Sequence, residues 1–143
     1  MAKGSRDRVT RQEAAIYELA KENVVNLVCH YGNGSRNSAS GSFISSKGHI
    51  LTAAHFVYKD FSKGDCWCEV KQGSPSVTIG MARVLFIPEK YKELSLISYG
   101  SAMSYDMAVL EMTQFFTEKE ISFYDVDPDY RASLGHEIML FGY

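Results

Sequence analysis

The 143-residue chain has little net charge, little cysteine and no long apolar run. Its 15 lysines and arginines stand against 17 aspartates and glutamates, a formal charge of -2. That balance supplies no broad positive field for phosphate backbones or anionic membrane surfaces, so nucleic acid is not expected as a partner. No stretch reaches the ~18 apolar residues of a membrane span, so no membrane is expected either. The start, MAKGSRDRVTRQEAAIYELAKEN, is charged and lacks the apolar core of a secretory signal. Unless a leader was removed, an intracellular, cytoplasmic location is expected. Three cysteines, Cys29, Cys66 and Cys68, are an odd number, and a disulfide framework is not expected. Cys66 and Cys68 flank Trp67 in an alternating stretch and therefore point to one face of a strand. A metal site combining them with His30, His49 or His136 lacks the second paired cluster of zinc-binding spacings, so neither metal nor cofactor is expected.

What is present, 45% hydrophobic and 22% charged residues, is the composition of one ordinary globular domain. Thr10 to Glu22 carries Ile16, Leu19 and Ala20 at helical spacing, with Thr10 as N-cap and Glu13 three residues on, a capping-box pattern. Val24 to Tyr31, VVNLVCHY, is rich in β-branched residues and reads as a strand, followed by GNGSRNSASG as a loop. SGSFISS and GHILTAA flank Lys47 and Gly48 as a hairpin that makes His49 an edge residue and buries Ile50 or Leu51. CWCEVK, SVTIGMARVLFI and DMAVLEM are three further strands, with Gly80 as a bulge or kink in the second. Six short strands with turns between them predict an all-β fold, a closed six-stranded antiparallel β-barrel with a short N-terminal helix. Pro88 to Tyr105 reads as a polar loop and Phe115 to Asp129 as an irregular connector. The expected organisation is a flexible N-terminus over 1–9, helix and barrel over 10–114, and a connector with a further strand over 115–143.

Two polar residues interrupt this apolar pattern at strand ends. His55 follows the run ILTAA, and Asp106 stands at the mouth of the strand MAVLEM, where a carboxylate has no packing role and must find donors or water. Together, SGSFISSKGHILTAAH and YDMAVLEM resemble the trypsin-like, chymotrypsin-fold peptidases, whose first barrel carries a TAAH-type histidine and later a DxAxL-type aspartate. The opening helix with ENVVNLVCHY, and the closing SLGHEIMLFGY, are similar to the HtrA (Do-like) branch. Phe56 stands where secreted animal trypsins carry a cysteine. The resemblance implies the first barrel of a double-barrelled serine endopeptidase acting on a protein or peptide substrate, with His55 as general base and Asp106 as its orienting acid. Asp60 and Asp65 are rivals to Asp106, but KDFSKGD reads as a solvated turn.

The sequence departs from that pattern in one respect. No GDSGG-type turn, nor a cysteine counterpart, follows Asp106, and the serines of GNGSRNSASGS precede His55. The expectation is therefore an amino-terminal half that lacks nucleophile, oxyanion hole and substrate pocket and is inactive by itself. The alternative is a non-catalytic, pseudoprotease-type module that binds a protein partner. In either case the strand over HEIMLFGY would be unpaired, and the expectation is either self-association through it or the cleft face, or a tail that is disordered or folded back over the barrel.

Overall fold

The computed structural model describes residues 10–58, 66–131, 133–135 and 141–143. The expected flexible segment 1–9, the rival acids Asp60 and Asp65, and residues 136–140 of the expected last strand lie outside the described residues. Six strands form a closed barrel in the order β1-β2-β3-β6-β5-β4, every neighbouring pair antiparallel. They are β1 (Val24–Tyr31), β2 (Arg36–Phe43), β3 (His49–Thr52), β4 (Cys66–Gln72), β5 (Val77–Phe86) and β6 (Ala108–Phe115). In β1 the period of two is explicit: Val25, Leu27, Cys29 and Tyr31 are buried, while Val28 and His30 between them are only half-buried.

The segment expected as a loop, GNGSRNSASG, is mostly strand. Only residues 32–35 turn, with Gly34 at φ +86°, and β2 begins at Arg36. Its inward-facing Ala39 and Gly41 are small because the barrel interior is narrow, while Ser38, Ser40 and Ser42 alternate on the outer face. A Cβ on Gly41 would lie 2.7 Å from Ile50 Cγ2 and 3.1 Å from Leu27 Cδ1. Gly80 meets a similar constraint, since a Cβ there would collide with Met112 Cε and the Gln114 carbonyl oxygen. The β4–β5 register shifts beside it, between Val70 and Lys71, and the β5–β6 register shifts between Met81 and Ala82. Leu27, Ile50, Val70 and Leu110 are fully buried inside the barrel. Each such side chain contributes about 1.5–3 kcal/mol of burial free energy.

Helix α1 (Arg11–Asn23) opens with the expected capping box. Thr10 Oγ1 accepts from Glu13 N–H at 3.0 Å, and Glu13 Oε2 accepts from Thr10 N–H at 3.2 Å. Only its last turn is buried, at Ala20 and Asn23, while Ile16 and Leu19 stay exposed. After β3 the chain makes a single turn, α2 (Ala54–Val57). The expected loop from Pro88 to Tyr105 instead holds α3 (Glu89–Ser95), α4 (Tyr99–Ala102) and a 3-10 turn over Met103–Tyr105. Tyr91 and Ala102 anchor it as buried residues in a polar stretch too short to show a clear helical period. From Phe116 onward no helix or strand occurs among the described residues. Tyr143 N–H donates to Ser40 Oγ at 2.8 Å, and its hydroxyl accepts from Gly73 N–H at 3.2 Å. No helix among the described residues is long and apolar enough to cross a membrane.

Candidate active site

Pairing of β3 with β6 ends on Thr52 opposite Ala108, so the exit of β3 and the entry to β6 lie side by side. His55 stands three residues beyond that last pair, on α2 and not on the strand itself; Asp106 stands two residues before it, just after the 3-10 turn. Ala54, Ala102 and Ala108 are fully buried around this junction, and their small side chains let the turn and the 3-10 segment close on the barrel. Residues 51 apart in sequence are thereby brought into direct contact. Asp106 Oδ2 lies 2.6 Å from His55 Nδ1, and Asp106 Oδ1 accepts from the His55 backbone N–H at 2.8 Å. The carboxylate thus fixes both ring and backbone of the histidine.

Because a carboxylate offers only acceptors, Nδ1 carries the proton and the neutral ring presents its basic lone pair at Nε2. The Asp106 side chain is 16% exposed and that of His55 34%, so the acid is shielded while the imidazole edge reaches solvent. Phe56 packs at 4.1 Å against the His55 ring. Its carbonyl accepts a hydrogen bond from the Tyr31 hydroxyl, which ties the α2 turn to the end of β1. Burial, with the neighbouring Cys66 thiol, pushes the Tyr31 phenol above its ordinary value.

The other histidines and the cysteines are arranged differently from the combination weighed in the sequence. His30 stacks on Trp67 at 4.2 Å outside the barrel and lies 3.4 Å from Glu69. His49 Nδ1 lies 2.6 Å from Ser45 Oγ. His136 lies outside the described residues. Cys29 and Cys68 face the interior and are joined as a disulfide, S–S 2.06 Å, whereas the odd cysteine count leads to the expectation of no disulfide framework. They are 39 residues apart but directly opposite in the β1–β4 register, a juxtaposition that their spacing does not reveal. Cys66 does share a face with Cys68, the sulfurs 4.0 Å apart, and burial pushes its thiol up to about 11. In comparisons with known proteins, no family model matches the chain, and no curated protein does.

Sequence reasoning missed the Ser45–His49 contact and the disulfide. A serine four residues before a histidine, across a Lys-Gly turn, was an available signal for the first. The second had none.

Proposed function

We propose that the barrel supplies the general base and the orienting acid of a trypsin-like serine endopeptidase whose nucleophile, oxyanion hole and substrate pocket lie outside these 143 residues. The single observation that supports this reading most is the two-oxygen grip of Asp106 on His55. It leaves one protonation pattern for a neutral imidazole, with the acceptor at Nε2. In the proposed reaction a serine hydroxyl attacks the scissile carbonyl and gives its proton to Nε2. Asp106 stabilises the imidazolium without taking the proton, and the same proton then passes to the leaving amine. The substrate class is a protein or peptide.

A second reading, a binding module without catalysis, is favoured by the apolar side chains on the segment leading into β6. Leu96 is 69% exposed, Ile97 83% and Met103 65%. A surface of this kind is suited to a protein partner or to a second copy.

Hydrolysis of a fluorogenic peptide separates the two. The assay uses the 143-residue chain and, beside it, the gene product expressed with any coding sequence that follows Tyr143. Activity is expected only from the latter, abolished by His55→Ala and lowered about 10⁴-fold by Asp106→Asn, the loss seen when an orienting carboxylate is replaced. Hydrolysis that survives His55→Ala would remove the proposal, and a gene product without hydrolysis that self-associates in light scattering would favour the module.

A further inference from the structure

The Sγ atoms of Cys29, Cys66 and Cys68 all lie within 4.8 Å of one another. Cys29 and Cys68 are 1% and 0% exposed, while Cys66, opposite Tyr31 where β1 ends and β4 begins, reaches solvent in part. Three sulfurs this close suggest either thiol–disulfide exchange or a shared ion.

Exchange fits the arrangement poorly. A thiolate must approach a disulfide in line with the bond it breaks. Cys66 lies 4.0 Å from Cys68, and any disulfide bond adds ~2 Å along the line of attack. An in-line attack on Cys68 would separate Cys66 from Cys29 by nearly the sum of those distances, and the 4.8 Å limit excludes it. The sulfurs form a triangle instead of a line.

A triangle is an arrangement in which three sulfurs can share one soft cation. Sulfurs bound at ~2.3 Å around a single ion sit roughly 4 Å apart, which is the Cys66–Cys68 separation already present. Opening the Cys29–Cys68 bond would bring the third side of the triangle toward the same length. Among the described residues no histidine, aspartate or glutamate joins the cluster as a fourth ligand. Zinc takes four ligands in structural sites, whereas thiolates select soft ions such as the cuprous ion, which accepts three. The surroundings are apolar apart from the Tyr31 phenol opposite Cys66, with Val70, Ala82 and Ala39 in the same core. Low total charge is favoured there, and two thiolates with one thiol around a monovalent ion leave a single negative charge.

We propose that the reduced barrel holds a three-sulfur site for a cuprous ion, formed by Cys29, Cys66 and Cys68, and that the Cys29–Cys68 disulfide is its closed, oxidised state. Opening requires a two-electron reductant, either a pair of small thiols or a phosphine that takes oxygen from water and leaves as its oxide. Two low-molecular-weight thiols convert the disulfide to two protein thiols and leave as one small disulfide. The cuprous ion then displaces a proton from each sulfur that binds as thiolate, and these protons pass to water.

The test uses the full 143-residue chain, reduced anaerobically with a phosphine and titrated with cuprous ion against the chromophoric chelator bicinchoninate. One equivalent withdrawn from the chelator is expected, with three sulfurs around the metal by X-ray absorption. The oxidised chain is expected to withdraw none. Cys66→Ser and Cys66→Ala should each weaken binding at least tenfold. No withdrawal by the reduced chain, equal withdrawal by the oxidised chain, a two-sulfur site, or unchanged affinity in both variants would each overturn the proposal. Loss of the barrel's far-ultraviolet circular dichroism on reduction would overturn it too, because no preformed site then exists. Should either variant misfold, the sulfur count on the wild-type chain still decides.

Discussion

Two histidines of this molecule each lie 2.6 Å from a side-chain oxygen through Nδ1, and they reach that distance by different routes. His49 meets Ser45, four residues earlier in the turn between β2 and β3. His55 meets Asp106 from the far end of another strand, 51 residues away. The first contact belongs to a turn and needs only Ser45 and His49 at its two ends. The second exists only because β3 and β6 pair in one register. Proton direction differs as well. Ser45 Oγ already accepts from the backbone N–H of Lys47 and His49, at 3.2 and 3.3 Å, so its own proton points to His49 Nδ1 and that ring carries its hydrogen on Nε2. His55 has the opposite tautomer, with the acceptor at Nε2 that general-base chemistry needs.

The comparison breaks most strongly where the tertiary frame under His55 is removed. Leu110 is fully buried in β6 opposite Ile50 of β3. Leu110→Ala should cost about 2–5 kcal/mol in urea unfolding, the range for a truncated core leucine. A loss below about 1 kcal/mol would mean that the β3–β6 pair is held by something other than this packing.

A more local break is Asp106→Ala, which removes two bonds to a carboxylate and leaves the His55 backbone N–H without its acceptor. About 2–3 kcal/mol of destabilisation is expected by the same measurement. The matching change on the other side, Ser45→Ala, should cost only about 0.5–1 kcal/mol, because the group is partly solvated and water can replace the hydroxyl. Equal losses at Ser45 and Asp106 would erase the distinction between the turn contact and the barrel contact.

The smallest effect is spectroscopic. At a pH where both rings are neutral, long-range nitrogen–proton correlation spectra should report Nδ1–H for His55 and Nε2–H for His49. Asp106→Ala should change the first pattern and leave the second as it was. The same tautomer in both rings would contradict the hydrogen-bond directions inferred for one of them.

Much of the barrel was legible because strands advertise themselves locally. VVNLVCHY alternates in and out, and its bounds in the sequence are its bounds in the fold. The Thr10–Glu13 capping box is complete within four residues. Arg36 to Gly41 carries the serine, asparagine and glycine of a loop, and the sequence does not show it as β2; the narrowness that demands a glycine at position 41 is a property of the closed barrel, seen only once Gly41 faces Ile50 and Leu27. The helices between Pro88 and Tyr105 escaped notice for a related reason. Tyr91 and Ala102 are apolar anchors in polar text, and only the surface they cover marks them as such.

By itself the sequence determined six strands, one capped helix and two polar residues standing at strand mouths, since alternation, capping and the isolation of a charge amid apolar residues are all short-range properties. Only the tertiary structure decided that His55 and Asp106 meet, that Cys29 bonds Cys68, and that Cys66 completes a triangle of sulfurs. Those contacts join residues far apart along the chain, and their formation depends on which strand pairs with which and in what register. Closing such loops costs entropy that no local pattern records, and that cost is met by the burial of the whole barrel core.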